Sequence, residues 1–357
     1  SNSEVLATAP YWRNDISLDV DLIEEVARII GYDQIPSTLL GEPLPRQNPE
    51  PLVSLKRKIR QNLTGYGFQE IITYSLNSLA ALNQLVPEPP SQEPTLLRLL
   101  NPMTVDKEYL RPTLRANLLT TLSANRRHED GSIRLFEVGR VYIPKDKDLP
   151  DEPEFICALL SGARQEKSWL GEESTLDFFD AKGIVESLLK QLGLSADFEN
   201  STDESLHPSR QAAVVIDGEI LGVLGEVHPK VTNAFEINGH IYLFELNISA
   251  LLPSITRHRM FQPVSRFPGI IRDIALIVAD ETTHRQVQAT IRSFPLVTEV
   301  TLFDVYSGEQ VPPDKKSLAY RVIYQSAEHT LTDEEVDRVQ KKILERLSRE
   351  LGATLRG

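Results

Sequence analysis

The apolar residues near the start of the chain recur at the spacing of a helix. They fall every three or four positions between residues 19 and 30, and Gly31 follows as a stop signal. We therefore predict a helix over 19–30. A polar, proline-rich stretch over 36–51 is typical of an extended linker. A basic amphipathic pattern then predicts a second helix from Leu52 to about Thr64.

The chain from about residue 50 to 255 carries more strand patterns than helix patterns. Longer runs at helical spacing predict helices within 108–128 and 177–193. Short apolar or alternating runs predict strands over 69–76, 133–144, 155–162 and 239–248, and a hairpin with an Asp-Gly turn over 211–229. Because strands and helices do not alternate regularly, we predict an antiparallel α+β domain here.

The last hundred residues form a separate pattern, after a polar boundary at about 251–268. Thr332 and Glu335 form a capping box for the last helix. The order βαββαβ is the ferredoxin-like plan, and we expect residues 265–357 to fold alone. The predicted elements are a strand at 271–279, a helix at 283–292, strands at 298–306 and 317–325, a helix at 332–350 and a strand at 353–356.

Length, charge and cysteine content limit the classes of protein. A chain of 357 residues suggests two or three domains, and the net charge of −13 argues against a general nucleic-acid coat protein. From Arg257 onward, 15 Lys and Arg face 14 Asp and Glu, so the tail is nearly neutral. The single cysteine, Cys157, and the lack of a signal peptide favour the cytoplasm. We interpret the first residues, Ser1 to Ser3, as the start of a fragment that begins inside a domain.

Five carboxylates lie close together near the N-terminus, and nothing basic separates them. They are Asp15, Asp19, Asp21, Glu24 and Glu25. One interpretation is that they stabilise a helix N-terminus, where the macrodipole favours negative charge. The other is a site for a hard cation such as Mg²⁺, which prefers oxygen ligands. The spacing does not match an EF-hand loop, and the residues alone leave both interpretations open.

Several motifs, taken in order, resemble one protein family. The first is "RNDISLDVDLIEEVARIIGYDQIP" at 13–36, which resembles the end of the B5 domain of bacterial phenylalanyl-tRNA synthetase beta subunits. Five further segments resemble parts of the family's class II synthetase-like core: "GYGFQEIITYSL", "LRPTL", "RLFEVGRVY", "LHPSRQA" and "LGEVHP". Its anticodon-binding domain is resembled by "SRFPGIIRDIALIV" through "RELGATLRG". The ordered set covers essentially the whole chain.

The resemblance implies four segments and a metal site. The segments are the end of a B5 domain at 1–38, a linker at 39–51, a non-catalytic class II synthetase-like core at 52–256 and a ferredoxin-like anticodon-binding domain at 265–357. Family members place a Mg²⁺ ion, in a site shared with the alpha subunit, at positions that correspond to Asp15, Asp21, Glu24 and Glu25. Asp19 is then expected to be the N-cap of the helix.

The resemblance also implies that the core does not catalyse a reaction. Active class II synthetases hold ATP and the amino acid with an Arg-x-Glu in their second motif. Ile143 and Lys145 stand at those two positions here, and an aliphatic side chain cannot hold a phosphate. A carboxylate pair for acid–base chemistry among Glu70, Glu137 and Glu245 is the weaker alternative.

The βαββαβ tail carries candidate RNA contacts. Arginine offers bidentate hydrogen bonds and stacking, and tyrosine offers a face to an unpaired base. The alternative is that these are ordinary outward residues of a half-buried sheet. The candidates are Arg272, Arg321, Tyr324 and Arg356 on strands, with Lys315 and Lys316 at a loop.

We therefore interpret the chain as part of a phenylalanyl-tRNA synthetase beta subunit. By resemblance, it supports a catalytic alpha subunit in a two-alpha, two-beta assembly and binds the anticodon of tRNA(Phe). The enzyme as a whole would join phenylalanine to tRNA with ATP and Mg²⁺. One alternative is a stand-alone RNA-binding or regulatory protein of synthetase descent. Another is a self-sufficient magnesium-dependent ligase, against which Ile143 and Lys145 count.

Overall fold

The computed structural model divides the chain into two compact units, residues 1–257 and 258–357. It describes residues 4–38, 41, 48–88, 95–129, 131–146, 148–165, 167–169, 171–172, 174–255, 264–308 and 310–356. Within these ranges, no helix combines the length and the apolar character needed to cross a bilayer.

The first unit contains helices and strands in mixed order. Its helices are α1 (Asp19–Ile30), α2 (Pro51–Gly65), α3 (Leu79–Asn83), α4 (Arg115–Arg126), α5 (Phe178–Gln191), α6 (Pro229–Ala234) and α7 (Ile248–Ile255). Its strands are β1 (Gln69–Glu70), β2 (Leu76–Asn77), β3 (Tyr109–Leu110), β4 (Ile133–Arg140), β5 (Glu154–Ser161), β6 (Ala163–Gln165), β7 (Ser174–Thr175), β8 (Asp197–Glu199), β9 (Leu206–Ile216), β10 (Glu219–Val227) and β11 (Ile241–Asn247).

A seven-stranded sheet with the order β1-β4-β5-β11-β10-β9-β8 organises this unit. The pair β1–β4 is parallel, and the other neighbours in the sheet are antiparallel. Alternate residues of each strand point to opposite faces, so the sheet has an apolar core on each side. One core includes buried residues of α2, α5 and α7, and the other includes buried residues of α4 and α6.

The second unit follows the predicted order of elements. It consists of β12 (Ile270–Ala279), α8 (His284–Arg292), β13 (Val297–Tyr306), β14 (Lys315–Tyr324), α9 (Asp333–Leu351) and β15 (Thr354–Leu355). The strands form an antiparallel sheet in the order β13-β14-β12-β15. A core formed within this unit buries Ile274, Tyr320 and Val336, among others. The predicted mixture of α and β structure with antiparallel sheets is confirmed.

Two local predictions differ from the structure. The strand predicted over 69–76 forms ladders only at β1 and β2, and between them Thr73 donates its hydroxyl to the buried carboxylate of Glu137 (2.7 Å). Lys315 and Lys316 were predicted in a loop, but they are the first two residues of β14, where they pair with Ala279 and Val278. The antiparallel ladder between β12 and β14 extends to the end of β12, and this pairing adds both lysines to the strand.

Candidate functional site

Arginines neutralise two of the acidic residues of the N-terminal segment, Asp15 and Glu25. Arg13 Nη2 lies 2.7 Å from Asp15 Oδ2 and 2.7 Å from Glu25 Oε1, so one guanidinium joins two carboxylates. Arg28 reaches Glu25 from the other side at 2.6 Å. The hydrogen bonds from Arg13 lower the pKa of both Asp15 and Glu25, and the bond from Arg28 adds to this effect at Glu25. Both carboxylates are therefore anions at neutral pH.

Asp21 caps helix α1, and Asp19 does not. One Asp21 carboxylate oxygen accepts hydrogen bonds from the backbone N–H groups of Ser17 and Leu18, each at 2.8 Å. These bonds lower the pKa of Asp21. Asp19 was predicted to be the N-cap, but it is the first residue inside the helix and Leu18 occupies the cap position. The prediction was wrong by one position, because Asp21 reaches back to the amides that an N-cap side chain would leave free.

The N-terminal carboxylates are the type of ligand that a hard cation prefers, but they are not grouped around one point. Asp15, Asp21, Glu24 and Glu25 offer only oxygen donors, and the lowered pKa values of Asp15, Asp21 and Glu25 keep these three ionised. Among the described residues, no three His, Cys, Asp or Glu side chains come close enough together to hold a metal ion. A metal would therefore need further ligands or a rearrangement around Arg13.

A row of polar residues crosses the middle of the seven-stranded sheet. Glu137 of β4 pairs with Cys157 of β5, which pairs with Glu245 of β11. All three are buried. Directly paired residues point to the same face, so a carboxylate stands on each side of the thiol. Burial, next to Glu245, raises the pKa of the Cys157 thiol well above its usual value.

Arg111 neutralises the first carboxylate of this row. Its Nη1 lies 2.7 Å from Glu137 Oε1, and the two side chains are only 4% and 3% exposed. The same guanidinium donates to the backbone carbonyl of Arg140 and to the hydroxyl of Thr73. Gly139 makes room for it, because a Cβ atom at that position would collide with Arg111 Nη2. The absence of a side chain at Gly139 therefore leaves the space in which Arg111 pairs with Glu137.

Arg115 neutralises the second carboxylate. It lies 2.8 Å from Glu245 Oε2 and 2.7 Å from Asp203 Oδ2. Burial alone would raise the pKa of Asp203, but the charge of Arg115 and a hydrogen bond from Ser205 outweigh it and lower the pKa. Each carboxylate of the row thus has its own guanidinium.

The predicted acid–base carboxylates do not come together. Glu137 and Glu245 lie on either side of Cys157, each in an ion pair with its own arginine. Glu70 pairs with a third, Arg60, at 2.6 Å. A carboxylate pair that shares a proton needs two groups in contact and without such counter-charges. The geometry disfavours the acid–base alternative.

The two positions expected to lack catalytic side chains lie just after β4. Ile143 is partly exposed and exchanges backbone hydrogen bonds of 2.9 Å with Asp151. Lys145 Nζ lies 2.5 Å from the carboxylate of the same Asp151. An aliphatic side chain and a lysine in an ion pair thus stand at the two positions for which the sequence predicts no phosphate binding.

The open face of the second unit's sheet presents two arginines next to aromatic rings. Arg321 of β14 forms two hydrogen bonds of 2.9 Å with Asp273 of β12, and its guanidinium lies 5.4 Å from the ring centre of Phe303. Arg356, just after β15, lies 5.1 Å from the ring centre of Tyr306. The bonds to Asp273 fix the Arg321 guanidinium in place. Rings and guanidinium planes are surfaces on which unpaired bases stack.

The six predicted RNA-contact residues divide between two faces. Arg321, Arg356 and Lys315 follow the register of the open face, opposite the core residues of the neighbouring positions. Arg272 and Lys316 follow the other register. Arg272 pairs with Asp333 at the start of α9, and Lys316 donates to the carbonyl of Asp280 at 2.6 Å. The structure therefore brings three of the six together on one face.

Tyr324 cannot stack on a base in this structure. Its side chain is fully buried in the core against the two helices. Burial raises its pKa to about 12. The sequence-based expectation that Tyr324 offers its ring to RNA is corrected, because its position in β14 points toward the helices. Tyr324 is therefore not part of the open face.

Three family models match the chain in sequence order. "Phenylalanyl tRNA synthetase beta chain CLM domain" matches residues 35–248, which is more than half of the chain. The chain belongs to the phenylalanyl-tRNA synthetase beta chain family. "tRNA synthetase B5 domain" matches residues 1–32, and "Ferredoxin-fold anticodon binding domain" matches residues 265–356. The row of ion pairs lies within the CLM-domain match, and the open face lies within the anticodon-binding-domain match.

Curated relatives from several bacteria are named phenylalanine–tRNA ligase beta subunit. The one from Dehalococcoides mccartyi (strain 195) is 46% identical over 97% of this chain and 42% of its own length. Those from Symbiobacterium thermophilum and Bacillus subtilis are 38% and 37% identical, over 40% and 44% of their lengths. The chain thus spans less than half the length of these relatives.

One solved structure, of the pyrrolysyl-tRNA synthetase PylSc from Desulfitobacterium hafniense, resembles part of the chain. The TM-score is 0.44 at 19% identity, over 60% of this chain and 73% of that one.

Sequence reasoning missed the two aromatic rings of the open face. The ladder between β13 and β14 shifts register between Leu302 and Asp304, so Phe303 is an extra, bulged residue. Because of the bulge, Phe303 and Tyr306, which are three positions apart, both contact arginines on the same face of the sheet. A strict period of two places them on opposite faces. The two aromatic residues in the segment "TLFDVYSG" were the signal that the sequence offered.

Proposed function

We propose that the chain is part of the beta subunit of a phenylalanine–tRNA ligase and has two tasks there. Residues 52–256, as a class II synthetase-like core, support a catalytic alpha subunit, and residues 265–357, as a ferredoxin-like domain, bind the anticodon of tRNA(Phe). Family membership and the names of the relatives support this proposal. The observation that carries it is the open face, where Arg321 lies over Phe303 beside a second such pair. Such surfaces suit the unpaired bases of a loop.

RNA binding on the open face would depend more on stacking than on charge. The chain has a net charge of −13, so attraction of phosphates is weak overall. Arg356 supplies positive charge beside the ring of Tyr306, and Lys315 lies in the register of the same face at the start of β14. Stacking and base-edge hydrogen bonds would then distinguish a phenylalanine anticodon from others.

A co-elution experiment tests both tasks together. The chain, the cognate alpha subunit and tRNA(Phe) are mixed at micromolar concentration and separated by size-exclusion chromatography. We expect all three in one peak at low salt, and loss of the tRNA first as salt is raised, since phosphate contacts are screened. Separate elution of the chain from both molecules at low salt would contradict the proposal.

We expect the chain by itself to be unable to activate phenylalanine. The alpha subunit would bind ATP and phenylalanine, since Ile143 and Lys145 here replace the groups that hold a phosphate. The measurement is phenylalanine-dependent exchange of pyrophosphate into ATP, with the alpha–beta complex as the positive control. Exchange by the chain alone, above a protein-free blank, would show that the core is catalytic.

We propose further that Asp15, Asp21, Glu24 and Glu25 bind Mg²⁺ when the alpha subunit supplies the rest of the site. The ion would neutralise these carboxylates and join the segment to its partner. Charge and donor type fit, since oxygen-only, ionised groups suit this cation. In the isolated chain, Arg13 acts as the counter-charge of Asp15 and Glu25.

In the alpha–beta complex, we expect Asp21→Asn and Glu25→Gln each to weaken Mg²⁺ binding by at least about tenfold. Replacing a residue that only hydrogen-bonds to a metal ligand already lowers metal affinity by about 10–100-fold, so loss of a ligand itself should cost at least as much. Asp19→Asn is the matched control on the same helix turn and should change binding by less than about twofold. Asp21→Asn keeps a side-chain oxygen that can accept the hydrogen bonds from the backbone of Ser17 and Leu18, so the cap of α1 survives. Isothermal titration with MgCl₂ gives the three affinities. Equal small effects would return the carboxylates to a purely helix-stabilising role.

A further inference from the structure

A cleft opens beside helix α5 on one face of the seven-stranded sheet. Its volume is about 480 Å³, which is within the usual range of small-molecule sites. Arg134 of β4 and Leu160 of β5 both line it, and they are paired directly, so they point to the same face of the sheet. The proposed RNA and metal sites include no residue of this cleft.

Most of the lining of the cleft is apolar or aromatic. Tyr66 comes from the end of α2, and Phe179 and Ile184 come from α5. Phe179 is a large aromatic residue, yet 70% of it is exposed. Leu160 and Leu176 are buried members of the core next to the cleft. A lining of this kind favours a ligand with an apolar body.

Helix α5 leaves space for a ligand at Gly183. A Cβ atom there would meet nothing within 4 Å apart from its chain neighbours and the backbone of its own helix. The φ angle at Gly183 is not positive, so the backbone does not require glycine. Glycine inside a helix lowers the stability of that helix relative to alanine. The residue thus weakens α5 and keeps the cleft open.

Arg134 places a positive charge in this apolar lining. Its guanidinium is partly buried and donates to the backbone carbonyl of Tyr66 at 3.2 Å. In the part of the chain that the structure describes, it forms no ion pair with a carboxylate. Because a partly buried charge is unfavourable without an opposite charge, the cleft favours an anion.

Asp180 also lines the cleft, but Arg164 already neutralises it. Arg164 Nε and Nη2 donate to its two carboxylate oxygens at 2.8 and 2.9 Å, and the backbone N–H of Asp177 donates at 2.7 Å. Burial acts to raise the pKa of Asp180, but these hydrogen bonds lower it overall, and the charge of Arg134 contributes less than they do. Asp180 therefore pairs with Arg164 and not with Arg134.

We propose that this cleft binds a small organic carboxylate whose body is a single apolar or aromatic ring. The carboxylate accepts hydrogen bonds from the guanidinium of Arg134, a geometry that suits the two groups. The ring fills the space at Gly183, beside Phe179. A polyanion such as RNA is disfavoured, because the net charge of the chain is −13 and Asp180 lines the cleft.

The test measures binding of 3-phenylpropionate to the whole chain at neutral pH by saturation-transfer difference NMR. The uncharged probe of similar shape is 3-phenylpropan-1-ol. An acid of this size should bind with a Kd on the order of 1 mM. Arg134→Met should raise the Kd of the acid at least about tenfold and change that of the alcohol less than about twofold, since a charge-assisted hydrogen bond is lost only with the acid.

Substitutions at Gly183 test where the ring lies. Gly183→Leu fills the cleft with a side chain that a helix favours, so it should raise the Kd of the acid at least about tenfold while α5 stays folded. Gly183→Ala adds one methyl group and should have a smaller effect. Arg127→Met, at a largely exposed arginine outside the cleft, is the matched control for Arg134→Met and should leave both Kd values unchanged. Unchanged thermal melting shows that the variants are folded.

Each outcome bears on the cleft and leaves the proposed function as it stands. Equal binding of the acid and the alcohol, or an acid Kd that Arg134→Met does not change, would overturn the carboxylate ligand. Binding that Gly183→Leu leaves intact would place the ring elsewhere and overturn the cleft. No binding of the acid by the unaltered chain at about 10 mM would overturn both. Displacement of the acid by an equal concentration of inorganic phosphate would indicate a general anion site and overturn the proposed class of ligand.

Discussion

Replacement of Glu137 by alanine is expected to lower the free energy of unfolding by about 3–5 kcal/mol. The change leaves the Arg111 guanidinium, 4% exposed, without its counter-charge in the middle of the sheet. It also removes the acceptor for the N–H and hydroxyl of Thr73. The measurement is urea unfolding followed by circular dichroism, read on the transition of the first unit.

Two further variants show that the loss comes from an unpaired buried charge. Glu236→Ala breaks the Arg127–Glu236 pair, whose side chains are 67% and 75% exposed, and should cost less than about 0.5 kcal/mol. Arg111→Met combined with Glu137→Met should recover part of the loss, because no charge is then left without a partner. If Glu137→Ala unfolds at the same urea concentration as the unaltered chain, the pair does not support the sheet.

Arg321→Ala combined with Phe303→Ala is expected to weaken binding of a tRNA(Phe) anticodon stem-loop by about 2–4 kcal/mol. Each stacked base contributes about 1–3 kcal/mol, and the pair offers both a guanidinium plane and a ring. The measurement is fluorescence anisotropy with the whole chain at a fixed salt concentration, with a scrambled anticodon loop as the RNA control.

The protein controls separate the open face from the rest of the unit. Arg349→Ala removes a largely exposed arginine from α9 and should leave affinity within about twofold. Tyr324→Phe removes only a buried hydroxyl, which has no hydrogen-bond partner among the described residues, and should also have no effect on RNA binding. Equal losses from Arg349→Ala and the open-face variant would indicate a general charge effect. Equal binding of both loops would show that the face does not read the anticodon.

Periodic patterns predicted the elements but not the sides on which residues lie. The helix predicted over 19–30 is α1, and the order βαββαβ is that of the second unit. Both depend on short-range spacing that the sequence displays directly. Tyr324 and Arg321 both lie in β14, yet one is buried and the other exposed. Which of the two faces water depends on where α8 and α9 pack, and this information is spread over the whole unit.

The sequence patterns also did not predict ion pairs between residues that are far apart along the chain. Arg111 stands 26 positions before Glu137, and Arg115 stands 130 positions before Glu245. No local pattern announces such pairs, because each requires the sheet order to be known. The carboxylates themselves were visible at similar strand positions, and sequence alone left an acid–base role open. In the structure an arginine neutralises each of these carboxylates, and this disfavours the acid–base role.

The position of Cys157 makes the chain its own reporter of unfolding. It is the single cysteine, it is completely buried between two carboxylates, and its raised pKa keeps it from forming a thiolate at neutral pH. An alkylating reagent can therefore modify the thiol only while β5, in the centre of the sheet, is open. The rate of modification reports how often the first unit opens, and it is insensitive to opening of the second.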